Sequence, residues 1–359
     1  MNNSEVLLEL SDITLIPSSL SRCSRNINYL VRDLISQSLP DSLPIFTSPM
    51  ESVVNDKNWK IWENSKINTV IPRTVDLKTR LDLCQFVFSG FSLSEVKKEF
   101  IDQDKRYFSR FKICLDVGNG HHTLALEIGN KLKKIYRNQV ILMGGNIANP
   151  ETYVEYSKAG FDFVRIGMTT GSLVMREKFG YHYPMASLII DTCKVREKAK
   201  TIGIRPIGII ADGGIESYSD IIKSIALGAD YVMIGKEFAK ILEAAGTIYS
   251  KRRTPEGFET MEEMLKSTDL TEKELKDLSL IRLYSGNTTL EMQAIRGGYS
   301  NPEDVISPNI VDAKNIWIKV DKRLETWLSD LKDNINYSFL LSDSENWSEF
   351  KQKVRYGVL

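Results

Sequence analysis

The sequence is short of the features that several broad classes of protein need. Lys plus Arg and Asp plus Glu each total 47, so no net positive charge is available to gather nucleic acid. The four cysteines, Cys23, Cys84, Cys114 and Cys193, are scattered and form no CxxC pair. That spacing speaks against a zinc ribbon or a disulfide framework, and it reads as reduced thiols in a cytoplasmic protein with no metal site. No apolar run approaches the ~18 residues that a membrane span requires. The opening MNNSEVLLELSD has no basic stretch and no long apolar core, so it does not read as a signal peptide.

What the chain does have is apolar mass and a repeating pattern. Of its 359 residues 42% are apolar, ample for a large core. The centre of the pattern is FDFVRIGMTTGSLV, Phe161 to Val174. Here a mostly apolar run ends at Gly167 and opens into small residues and hydroxyls, a sequence suited to holding an anion such as phosphate on backbone N–H groups and a serine hydroxyl. Two further strand-plus-glycine units follow, one ending in Asp212-Gly213-Gly214 and one in Gly235-Lys236. Three such tips meet at one ligand only if their strands lie parallel and side by side.

Eight units of this kind can be counted. Their strands are Pro44 to Met50, Asn68 to Ile71, Phe86 to Phe88, Ile113 to Val117, Val140 to Met143, Phe161 to Ile166, Gly208 to Ala211 and Tyr231 to Ile234, each followed by a helical stretch. The third helix opens on Ser92 to Glu95, a capping box. The fifth has Asn149-Pro150-Glu151 at its start and Gly160 at its stop. The strands are mostly apolar without clean alternation, as expected when both faces are covered. The pattern predicts a (β/α)8 TIM barrel. A doubly wound open sheet is the alternative, and it would need fewer strands and one dominant glycine-rich turn. We read residues 1–359 as one barrel domain. Within it, 247–280 is a charged, partly helical insertion, and 309–359 is a tail that packs on the barrel through Leu324, Trp327, Leu328 and Leu331. A short strand is expected within Leu8 to Pro17, and His121-His122 reads as a solvated helix start.

The motifs in order resemble the inosine-5′-monophosphate dehydrogenase and GMP reductase family. They are Ser48-Pro49-Met50, Leu115 to Gly120, Gly145-Asn146, Gly167 to Ser172, Ala211 to Ile215, Val232 to Gly235, Glu243 to Gly246 and Tyr284-Ser285-Gly286. The resemblance implies a (β/α)8 barrel that binds a purine nucleoside monophosphate (IMP, GMP or an analogue) with NAD(P), assembled as a homotetramer. It places the phosphate at Ser172, the backbone of Gly214 and Gly235 and the Tyr284 hydroxyl, with Gly171, Gly213 and Gly286 as further substrate-binding candidates; Lys236, not a family residue, is a candidate whose ammonium could pair with a phosphate or whose bulk could crowd one. The ribose falls to Asp212, and the ribose and base to Ser48 and Met50. Asp116, Gly144, Gly145 and Asn146 face the nicotinamide, and a monovalent cation is possible at the loop Gly167 to Gly171. Glu243 and Asp116 are the catalytic candidates, Glu243 as the family's activator of water or ammonia. Asp312 is a loosely aligned candidate for the purine edge. No pair of regulatory modules interrupts the chain between the second and third strands.

One departure bears on chemistry. The family places a cysteine nucleophile after the sixth strand, and here that loop reads Gly171-Ser172-Leu173-Val174-Met175. Valine cannot form a covalent adduct. Lys236 also replaces a family glycine. Two expectations follow: an oxidoreductase of purine nucleotide metabolism working without a covalent intermediate, or a silent purine-nucleotide-binding homologue that acts as a sensor or oligomer partner.

Overall fold

The computed structural model describes residues 6–21, 27–31, 39–103, 110–168, 180–254, 257–260, 272–284 and 316–359. The loop 169–179, with Gly171, Ser172, Val174 and Met175, lies outside the described residues, as do Cys23, Gly286 and Asp312.

The chain opens with a short turn and strand β1 (Ile13–Ile16), then enters a ring of eight parallel strands. These are β2 (Ile45–Thr47), β3 (Val70–Ile71), β4 (Phe88–Phe91), β5 (Phe111–Leu115), β6 (Val140–Ile147), β7 (Phe163–Ile166), β8 (Gly208–Asp212) and β9 (Tyr231–Ile234). Each pairs with its neighbour in sequence, and β2 pairs with β9. The ring closes at Phe46 and Asn68, where the Thr47 amide donates to the Asn68 carbonyl at 2.9 Å. The helices between them are α1 (Trp59–Asn64), α2 (Leu77–Leu83), α3 (Leu93–Val96), α4 (Thr123–Tyr136), α5 (Thr152–Lys158), α6 (Met185–Thr201) and α7 (Tyr218–Ala226). This is a (β/α)8 barrel.

Apolar strands explain the ring. Side chains from alternate positions fill its interior: Phe46, Val70, Phe88, Cys114, Met143, Phe163, Ile210 and Tyr231 form one buried cluster. Phe46, Phe88, Phe163 and Tyr231 meet edge to face, with centroids 5.1–6.2 Å apart. The complementary positions pack outward onto the helices in a second, larger core. The barrel is therefore a filled core, and ligand chemistry is left to the ends of its strands.

The eighth helix departs from the sequence reading. Residues after β9 make only one turn, α8 (Lys236–Ala239). The chain then leaves the barrel to build a four-stranded antiparallel sheet from β10 (Ile248–Thr254), β11 (Gly257–Thr260), β12 (Leu280–Tyr284) and β13 (Ile316–Lys319), with α9 (Glu272–Asp277) between β11 and β12. Among its described residues, the expected insertion 247–280 holds strands β10 and β11 as well as the helix α9. The barrel helix itself comes afterwards as α10 (Leu324–Ser342), whose Trp327 packs on Phe238 and Tyr218, while Phe238 packs on Trp62 of α1. That chain of rings seats α10 between the seventh and first helices. Arg282 on β12, fully buried, donates to the carbonyls of Ala239, Ile241, Leu242, Ala244 and Gly246, and so ties the excursion back to the end of α8. After α11 (Trp347–Lys353), β14 (Arg355–Val358) pairs antiparallel with β1 and joins the two ends of the chain.

Candidate functional site

The C-terminal ends of the strands carry the polar groups. β7 runs through the core, yet its third residue is Arg165, whose side chain is 3% exposed. Its guanidinium lies 3.2 Å from Asp116 at the end of β5 and 3.7 Å from Asp212 at the end of β8. Burying one cation requires such partners. Burial opposes the Arg165 charge, but Cys114, Asp116 and Asp212 outweigh it and raise its pKa. Burial pushes the Asp212 carboxyl above its ordinary range, against the lowering that Arg165 and Asn146 exert. Asn146, near the end of β6, donates to Asp212 Oδ2 at 2.7 Å and to the Gly167 carbonyl at 3.0 Å. Arg73, just past β3, donates to the Asp116 carbonyl at 3.1 Å. Five strand ends thus share one network. Sequence reasoning had Asp116, Asp212 and Asn146 but missed Arg165 and Arg73. The signal for Arg165 was present: a lone charge inside FDFVRI has to be compensated.

A second group assembles beside it, where β2, β9 and β12 meet. A Cβ placed on Gly235 would lie 2.7 Å from the Tyr284 hydroxyl, 2.8 Å from Met50 Sδ and 3.4 Å from Ser48 Cβ. A side chain there would have to displace the Tyr284 hydroxyl and Met50 Sδ, and three distant parts of the sequence, at Ser48 to Met50, Gly235 and Tyr284, converge at this point. Ser48 reaches this place because its amide donates to the Ile234 carbonyl at 2.9 Å. Tyr284 is 6% exposed, and its hydroxyl is the atom nearest to that Gly235 position. Burial, with Asp212 and Glu216 nearby, pushes its pKa up, so it remains a donor. Gly213 and Gly214 follow Asp212 with φ of +100° and +74°.

Other expected site residues are engaged elsewhere. Lys236 Nζ pairs with Glu216 Oε1 at 3.0 Å. Glu243 Oε2 accepts the Leu324 amide at 2.9 Å, which places its carboxylate over the first turn of α10, and Arg323 lies 3.9 Å from its other oxygen. A Cβ on Gly144 would meet Phe161 and Tyr156 at 2.5 and 2.6 Å, and one on Gly145 would meet the Arg165 carbonyl at 2.4 Å. Both glycines therefore admit neighbouring protein. Of the expected cation loop, the Gly167 carbonyl accepts from Asn146. His121 Nε2 accepts the Ala148 amide at 2.9 Å, leaving Nδ1 to donate to Thr152 Oγ1 at 3.1 Å, while His122 caps α4. No thiol replaces the missing nucleophile among the described residues: Cys114, beneath Arg165, is pushed up to about 12 by burial. Nor do the described residues hold a cluster that could bind a metal ion, or a helix long and apolar enough to cross a membrane.

A chain with this barrel and these strand ends can be compared with known proteins. The IMP dehydrogenase / GMP reductase domain model matches residues 111–277. A GMP reductase of Leishmania donovani is 34% identical over 141 residues, 39% of this chain and 27% of its own length. An inosine-5′-monophosphate dehydrogenase of Chlorobaculum parvum is 35% identical over 144 residues, 39% of this chain and 28% of that protein. GMP reductase 2 of Bos taurus is 24% identical over 261 residues, 69% of this chain and 73% of the relative. The first two alignments span little more than a quarter of the relatives they match. The matched domain, residues 111–277, takes in β5 to β9, the strands whose ends carry Asp116, Asn146, Arg165, Asp212 and Gly235. Over residues 111–277 the chain matches the IMP dehydrogenase / GMP reductase domain, and it is similar to proteins named GMP reductase and inosine-5′-monophosphate dehydrogenase.

Proposed function

We propose that the barrel mouth binds a purine nucleoside monophosphate, with its phosphate at the Gly235–Tyr284 cradle and its ribose at Asp212. The observation that carries this reading is the convergence of Ser48, Met50, Gly235 and Tyr284 on one point, with the hydroxyl of a buried tyrosine facing Gly235. Phosphate accepts such a donor readily. Gly213, Gly214 and the loop with Gly171 and Ser172 are proposed to complete the phosphate site, with Gly286 beyond Tyr284.

The donor set next to the cradle also fits a nicotinamide dinucleotide. Asp116 is a second carboxylate at the strand ends, the type of group that receives sugar hydroxyls, and Arg165 balances its charge. When bound there, NAD(P) supplies or accepts a hydride. Asn146 orients Asp212, Arg165 fixes both carboxylates, and Tyr284 holds the phosphate end of the nucleotide. With valine at position 174 the transfer proceeds without a bond between protein and purine.

A second reading, a nucleotide-binding homologue without turnover, is favoured by a specific observation. Glu243, the proposed activator of water or ammonia, is committed to α10, and Lys236 is committed to Glu216. Two absorbance assays separate the readings: GMP-dependent oxidation of reduced nicotinamide and IMP-dependent reduction of the oxidised form. Turnover in either supports the oxidoreductase. Nucleotide binding with neither reaction leaves the silent homologue, and absence of binding rejects both.

A further inference from the structure

Glu216 takes part in none of the roles above, yet it sits at the rim of the phosphate cradle. It lies two residues past Gly214 at the end of β8, and its partner Lys236 follows Gly235 at the end of β9, the neighbouring strand. Their ion pair spans 3.0 Å with side chains 46% and 28% exposed. A pair so open to water is weakly held and easily exchanged. The hydroxyl of Tyr284, a residue 6% exposed, lies against Gly235, one residue from the lysine.

These positions create a competition. A phosphate dianion brought to the Tyr284 hydroxyl carries more negative charge than a carboxylate and attracts the Lys236 ammonium more strongly. It is also repelled by Glu216. Lys236 can serve the phosphate only by leaving Glu216, and Glu216, nearly half exposed, can then be solvated. An uncharged nucleoside offers the lysine nothing and leaves the pair intact.

We propose that Glu216 is a resident counter-ion that competes with the nucleotide's phosphate for Lys236, so that the pair sets the site's preference for a dianionic phosphate over an uncharged nucleoside. The inference rests on the reading of the mouth as a purine monophosphate site and adds the charge exchange that accompanies binding. Glu216 acts through Lys236, as a positioning residue.

The test is calorimetric titration of GMP and of guanosine into the full chain, as wild type, Glu216→Gln and Lys236→Met. Inorganic phosphate is used in parallel as a competitor against GMP. Glu216→Gln is expected to tighten GMP about fivefold to tenfold, to strengthen competition by inorganic phosphate, and to leave guanosine unchanged. Lys236→Met is expected to weaken GMP about tenfold, again without effect on guanosine. A merely structural role for Glu216 cannot produce a gain confined to the phosphorylated ligand. Wild-type binding of GMP that Glu216→Gln leaves unchanged or weakens overturns this inference alone. Absence of GMP binding to folded wild-type protein overturns the monophosphate reading and this inference with it.

Discussion

Asn146 spends both amide hydrogens inside the protein, one on Asp212 at 2.7 Å and one on the Gly167 carbonyl at 3.0 Å. It therefore aims the Asp212 carboxylate, proposed above to take the ribose, and pins Gly167 at the end of β7. Asn146→Ala removes a donor to a charged, buried acceptor, a loss of about 1.5–3 kcal/mol. GMP affinity is expected to fall about tenfold or more by calorimetry. Asn146→Asp, which turns the carboxylate partner into a repelling one, is expected to fall further. Wild-type affinity in both variants contradicts the role.

Arg165 holds two carboxylates in the barrel, and its loss strands them. Arg165→Met is expected to cost about 3–5 kcal/mol in urea unfolding. Adding Asp116→Asn should recover part of that, because one of the two unpaired charges is then gone. An Arg165→Met protein as stable as wild type would mean that water reaches the carboxylates freely.

Gly235 is crowded by the Tyr284 hydroxyl and Met50 Sδ. Gly235→Ala drives a methyl into the Tyr284 hydroxyl and Met50 Sδ, an overpacking of about 1–3 kcal/mol, and should abolish nucleotide binding. Tyr284→Phe keeps the packing and removes only the hydroxyl. It is expected to leave thermal stability near wild type while weakening GMP about tenfold. Equal affinity in Tyr284→Phe would take the phosphate away from the cradle.

Glu243 closes the first turn of α10 by accepting the Leu324 amide. Glu243→Ala should therefore cost about 1 kcal/mol of stability, the usual worth of such a cap, with GMP affinity unchanged. A fall in turnover or affinity without loss of stability would move Glu243 into the reacting site.

His121 is neutral in the fold, since its Nε2 accepts the Ala148 amide, and burial lowers its pKa from 6.5. Protonation breaks that bond. Below about 6.5 the unfolded chain binds the proton first, so stability falls as the pH drops from there toward the lower folded value. Unfolding followed across that range should show this slope in wild type and a smaller one in His121→Asn. Parallel profiles would contradict it.

The barrel was legible because eight apolar runs recur at the right interval, and Tyr231–Ile234 and the helix from Leu77 fall where periodicity places them. Glycine misled at two strands. Ser89-Gly90 and Gly144-Gly145-Asn146 read as loops yet continue β4 and β6, and at Gly144 the glycine is there because Phe161 and Tyr156 press on the strand. The pairing of β1 with β14, and α10 as the eighth barrel helix, depend on contacts hundreds of residues or a whole excursion apart, which local pattern does not carry. At the site, the family resemblance gave Asp116, Asp212 and Asn146, but the engagement of Glu243 and Lys236 depends on which partner arrives from a distant element.

The most direct measurement is diffraction from crystals of the protein soaked in GMP. The account predicts the phosphate within about 2.7–3.2 Å of the Tyr284 hydroxyl and against Gly235, with the ribose at Asp212. Nucleotide density away from that cradle, or a phosphate seated beside Asp116 instead, would contradict it.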